Sequence, residues 1–167
     1  MQNPSDYVAQ FRELLESLGA EPVGIGAFAA LRYRLEPRTT TDVDFLVRRL
    51  DGVAEAAEAL GLQCRVMKDP GGEPYVIFIR GEGVAVDVLR SETAYQDEAM
   101  RRAIDGWLTV EDVIVHKLIA WRAKDQDDLA SILATRPALD LEYIERWSEA
   151  WEVTARWQES CQRWMQA

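Results

Sequence analysis

Asp42 and Asp44 stand one residue apart at the head of the apolar run Phe45-Leu46-Val47. In an extended chain, residues i and i+2 share a face, so both carboxylates aim the same way, roughly 6–7 Å apart along the backbone. Two like charges about 5 Å apart at an effective dielectric near 20 repel by roughly 3 kcal/mol. A divalent cation offsets that repulsion most simply, and hard carboxylate oxygens suit Mg²⁺. The plainer alternative is a solvated Asp42 at a strand start with Asp44 half exposed. A third acid stands alone in the apolar run Val84-Ala85-Val86-Asp87-Val88-Leu89. A charge in such a strand is rarely left unpaired. If this strand lies beside the first, the three acids converge. Two cations about 3.5–4 Å apart could then bridge them and clamp an attacking and a leaving oxygen. The alternative for Asp87 is an ion pair with Arg80 or Arg48.

Gly24-Ile25-Gly26-Ala27 reads as a strand-to-helix turn whose backbone N–H groups would face an anion. Arg32, Arg34, Arg38, Arg48 and Arg49 flank the aspartate pair. They would either receive a polyphosphate or be solvated partners of nearby acids.

The elements that must position these residues follow from periodicity. Asn3-Pro4-Ser5-Asp6 starts a helix with Ser5 or Asp6 as N-cap; Tyr7, Val8, Phe11, Leu14, Leu15 and Leu18 repeat at helical spacing up to Gly19. Strands are expected over 23–25, 42–47, 62–67, 75–79 and 84–89, with helices over 27–34 and 52–60. Gly81-Glu82-Gly83 should close a hairpin between the last two strands. From Ser91 onward the pattern is helical. Thr109 caps a helix carrying Val113, Ile114, Leu118 and Trp121, a second lies near 126–133, and a long one runs over 141–165. That last helix holds Trp147, Trp151, Trp157 and Trp164, an aromatic stripe read as core or partner interface.

The 167 residues, 48% hydrophobic and 29% charged, fit one domain with a helical appendage. A net charge of −10 disfavours broad coating of nucleic acid. Cys64 and Cys161 match no metal or redox spacing, which points to reduced thiols and a cytoplasmic setting. The first 19 residues do not read as a signal peptide, and no apolar run approaches membrane-spanning length, so no membrane partner is expected. His116, the one histidine, is read as structural or surface.

Gly26, Arg38-x-Thr40-x-Asp42-x-Asp44 and the strand acid Asp87 together resemble the polymerase-β-like nucleotidyltransferase superfamily. The downstream segment from Val110 to Leu129, with Lys117 and Asp128, looks like the helical part of minimal bacterial nucleotidyltransferases akin to abortive-infection toxins. The resemblance covers about residues 20 to 135. It implies an α+β fold: a small mixed sheet with flanking helices over 1–105 and a helical part over 106–167 packed on it. It implies a transferase that moves an NMP group from an NTP onto a hydroxyl of an RNA, protein or small molecule. Asp42, Asp44 and Asp87 would hold two Mg²⁺ ions, with Asp87 also a general base. Gly26 and Ala27 would cradle the triphosphate, and Arg38, Thr40, Lys117 and Asp128 would line the nucleotide site; for the last two a helix–helix salt bridge is the alternative. A toxin–antitoxin pair, with an antitoxin or tRNA as partner, is the setting the resemblance suggests. The chain departs from the family in having Gly26-Ala27 where Gly-Gly or Gly-Ser is usual, and alanine tolerates φ > 0 less well. A binding module of the same fold with little turnover, docking or self-associating through the Trp-rich helix, is the rival reading. A sugar-nucleotide glycosyltransferase is a distant third.

Overall fold

The computed structural model describes residues 4–165. Among the described residues, five strands and eight α-helices make an α+β structure with a mixed sheet. Helix α1 (Pro4–Ser17) leads into β1 (Val23–Ile25), α2 (Gly26–Leu31) and β2 (Val43–Val47). Then come α3 (Val53–Ala59), β3 (Gln63–Lys68), β4 (Pro74–Gly81) and β5 (Val84–Arg90). The remainder is helical: α4 (Ala94–Arg102), α5 (Val110–Ala120), α6 (Ala123–Ala134), α7 (Leu141–Ala150) and α8 (Thr154–Ser160), which ends in a π-helical turn over Cys161–Met165. Asn3, part of the expected helix start, lies outside the described residues. Because α1 begins at Pro4, Ser5 and Asp6 fall inside it rather than before it.

The sheet order is β1-β2-β5-β4-β3. Strands β2 and β5 run parallel; the other pairs are antiparallel. The β4–β5 hairpin turns at Glu82-Gly83, where Gly83 takes φ +72°, a backbone conformation that favours glycine. Alternation assigns the faces. Val43, Phe45, Val47, Ile77, Ile79, Val86 and Val88 are buried with Tyr7, Phe11 and Leu15 of α1 and Val53 and Ala57 of α3. On the opposite face Val23, Ile25 and Leu46 join one core with Ile114 and Leu118 of α5, Leu129 and Ile132 of α6, Ile144 of α7 and Trp157 of α8. The helical half therefore packs directly on the β1–β2 end of the sheet.

Thr109 caps α5 and also donates a hydrogen bond to Asp112 Oδ2 at 2.8 Å, while the Tyr143 hydroxyl donates to Asp112 Oδ1 at 2.6 Å. That carboxylate ties α5 to α7. The long helix expected over 141–165 is two helices, broken at Glu152, which takes φ +56°. The cause is a phase change in the apolar pattern. Ile144 and Val153 are nine residues apart, so a continuous helix would point them roughly 180° from each other. Both are buried in the same core, and the break restores the phase. Of the tryptophans, Trp157 is buried, Trp147 packs on Tyr95 at 4.8 Å between ring centroids, and Trp151 is 38% exposed. No helix among the described residues is long and apolar enough to cross a membrane.

Candidate functional site

The parallel register places Asp44 of β2 directly beside Asp87 of β5. Neighbouring strands lie about 4.8 Å apart, so the two side chains emerge from one face at close range. Asp42 precedes β2 by one residue and is exposed. On the other side Ile25 pairs with Asp44, which brings Gly26 against the same carboxylate. Gly26 takes φ +65°, and a Cβ there would collide with Asp44 Oδ2 and lie 2.9 Å from its Cγ. Any side chain at 26 would thus strain the backbone and displace Asp44. Gly26→Ala is expected to lower stability by about 1–2 kcal/mol and to weaken ligand binding at Asp44, read by urea denaturation and by titration. Ala27, in contrast, sits in ordinary helical backbone, so the conformational objection to alanine does not arise there.

These residues line one wall of a cavity of about 260 Å³. Asp42, Asp44, Asp87, Gly26 and Ala27 face Arg38 and Thr40 from the α2–β2 connection. Lys117 of α5 and Arg122 and Lys124 at the start of α6 complete it. The connection is held at both ends. The Tyr7 hydroxyl donates to the Thr41 carbonyl, and the Leu35 N–H donates to the Ser131 carbonyl at 3.3 Å. Trp121 adopts φ +50° at the end of α5, which lets α6 begin two residues later.

Asp128 is fully buried behind Arg38 and Lys117. It takes Arg38 in a two-pronged pair, Nε to Oδ1 at 2.8 Å and Nη2 to Oδ2 at 3.0 Å. Arg34 Nη1 adds a contact of 2.6 Å and Lys117 Nζ one of 2.8 Å. Lys117 also reaches Asp125 at 3.0 Å, and Asp125 accepts from the Arg122 side chain at 2.6 Å and its backbone N–H at 3.1 Å. The helix–helix salt bridge and the cavity position of Lys117 are therefore one arrangement: two buried aspartates aim cations at three acids. Burial opposes the charge on Asp128, but the hydrogen bonds from Arg38 and Lys117 outweigh it and hold the carboxyl down at about 2. Asp44 is the reverse. Burial, then the charges of Asp87 and Asp42, push it up to about 6 against the pull of Lys117 and Lys124.

Pattern alone does not single out Arg122, Lys124 and Asp125, since charges on short helices and loops ordinarily read as solvated; Arg34, one of the arginines flanking the aspartate pair, pairs with Asp127 and Asp128. Arg32 lies over the Trp107 ring, Arg48 pairs with Asp97 at 2.6 Å and Arg49 with Asp51 at 3.6 Å, so these three serve other contacts. His116 packs edge-on against Tyr95, 5.5 Å between ring centroids. Both cysteines are free thiols.

Whether the acids fit a hard cation turns on Asp87. Arg80 Nη1 lies 2.7 Å from Asp87 Oδ1 but donates to the carbonyls of Ile79 and Val86, at 2.9 and 3.1 Å. Asp87 Oδ1 is thus buried beside a cation yet without a hydrogen bond. A divalent ion at these acids would therefore share or displace the Arg80–Asp87 ion pair, while Asp44, whose ionisation burial resists, and the exposed Asp42 offer hard oxygen donors that suit such an ion. Among the described residues no three metal-ligating side chains are already gathered around one point. No family model matches the chain, and no curated protein matches it.

Proposed function

We propose that the protein is a Mg²⁺-dependent nucleotidyltransferase that moves an NMP group from an NTP onto a hydroxyl, on a sheet of the nucleotidyltransferase fold. The observation that carries this reading is the in-register pair Asp44 and Asp87, with Gly26 against one acid and Lys117 across the cavity. Asp42, Asp44 and Asp87 would hold the metal, which when bound supplies charge neutralisation on the transferring phosphoryl group and the leaving pyrophosphate. The residues of the chain do the rest. Backbone N–H groups at Gly26 and Ala27, with Arg38, Thr40 and Lys117, hold the triphosphate. The acceptor oxygen bonds to the α-phosphorus as the α–β bridging bond breaks, and pyrophosphate leaves. The acceptor proton passes to Asp87. Positioning and charge compensation supply most of the acceleration in such a step. Service as a toxin of a toxin–antitoxin pair rests on the sequence resemblance alone.

The Arg80–Asp87 ion pair favours a second reading, a nucleotide-binding module of the same fold without turnover. Transfer of label from α-³²P-NTP to cellular RNA, protein or small molecules separates the two. Transfer by the wild type, falling by about a thousandfold or more in Asp87→Asn, supports the enzyme. NTP binding with no transfer to any acceptor supports the module.

A further inference from the structure

The sheet grips two of the three acids and leaves the third to other contacts. Asp44 is paired on both sides, with Ile25 of β1 and Asp87 of β5; Asp87 is paired with Asp44 and Phe78. Asp42 lies before the first pair of β2, Val43 with Val86. A carboxylate on an exposed approach to a strand must be ordered before it can ligate, and that ordering weakens binding. Two contacts order this one. The Tyr7 hydroxyl of α1 donates to the Thr41 carbonyl, and the Thr41 hydroxyl donates to Asp42 Oδ1 at 3.2 Å.

Tyr7 is built as an anchor. It is 2% exposed, within the core that α1 and α3 form on the sheet. Burial and, after it, the charge of Asp42 push its pKa up, so the hydroxyl remains a donor at neutral pH. The acceptor residue, Thr41, is exposed, so water could serve its carbonyl and stability alone does not call for this bond.

We infer that Tyr7 and Thr41 are positioning residues for Asp42 as a metal ligand. Tyr7 pins the backbone just before Asp42, and Thr41 holds Oδ1, leaving Oδ2 to the cation. The inference rests on the metal-binding part of the proposed function. Neither residue touches the cation; both act through Asp42, as hydrogen-bonded partners of ligating carboxylates do.

The test uses Mn²⁺, which suits carboxylate oxygens and whose free form is counted by electron paramagnetic resonance as the whole protein is added. It compares the wild type with Tyr7→Phe, Thr41→Val and Tyr33→Phe, and measures thermal unfolding and NTP binding on the same samples. Tyr33 is the matched comparison: its hydroxyl donates to the Leu108 carbonyl at 2.8 Å, a bond of the same kind that ties the end of α2 to the segment before α5. The wild type should bind Mn²⁺. Tyr7→Phe and Thr41→Val should each weaken it by about tenfold. Tyr33→Phe should bind as the wild type does, even where it unfolds at a lower temperature. Tyr7→Phe keeps the buried ring, and Thr41→Val alters an exposed side chain, so the second reads the same anchor should the first fail to fold. Affinity unchanged in either variant would overturn the role of that residue and leave the metal site standing. A loss in Tyr33→Phe as large as in Tyr7→Phe would mean general loosening of the fold and would overturn the positioning role. No Mn²⁺ binding by the wild type would overturn both the inference and the metal site it rests on. Mn²⁺ binding that depends on Tyr7 and Thr41, with no NTP bound, would support the inference and overturn the transferase reading.

Discussion

Asp44→Asn is expected to stabilise the metal-free protein by about 2–3 kcal/mol near pH 8, or roughly 4–10 °C in melting temperature. Folding pushes this carboxyl up to about 6, because burial and the neighbouring Asp87 and Asp42 resist its ionisation. The folded state therefore holds the proton more tightly than the unfolded chain, whose carboxylates titrate near 4. The stability this gives is full below that value and is lost as pH rises through about 6. Asparagine mimics the neutral form and escapes the loss. The gain should vanish near pH 4, where wild-type Asp44 is already protonated. Urea denaturation with a chelator present, at both pH values, reads the difference. Destabilisation near pH 8 would mean that native contacts hold the ionised carboxylate, contrary to the site as described. A residue whose charge the fold resists is kept for something other than stability.

Asp128→Asn should act in the opposite direction, costing about 3–5 kcal/mol at neutral pH. It removes the one fully buried anion shared by Arg34, Arg38 and Lys117. Asparagine keeps an acceptor but neutralises none of the three. The native carboxyl is held down at about 2, so its contribution is present above the ordinary carboxylate range and is lost as pH falls towards that value. Arg38 also loses its anchor and Lys117 one of its two, so NTP affinity should fall together with the stability measured by denaturation. A variant as stable as the wild type would show that the cations find other partners.

Much of this site was legible in the chain because it depends on local chemistry. Asp42 and Asp44 share a face by strand alternation, and Gly26 precedes them at a turn that only glycine fits. What could not be read was long-range. The sequence does not say that β5 inserts between β2 and β4, and the meeting of Asp44 with Asp87 was conditional on that order. Asp125 and Arg122 look like an ordinary helix-start pair until α6 packs beside α5 and turns them toward Lys117. The α7–α8 break is present in the sequence as the half-turn phase shift between Ile144 and Val153, which the helical spacing of Trp147 and Trp151 masks.

Calorimetric titration of the wild type with each NTP, with and without Mg²⁺ and alongside Asp42→Ala, tests the central claim most directly. Asp42 is exposed at the mouth of the cavity, so its loss should leave the fold intact. The account predicts binding of at least one NTP that requires Mg²⁺ and disappears in the variant. Binding that ignores both the metal and Asp42, or no binding of any NTP, would contradict it.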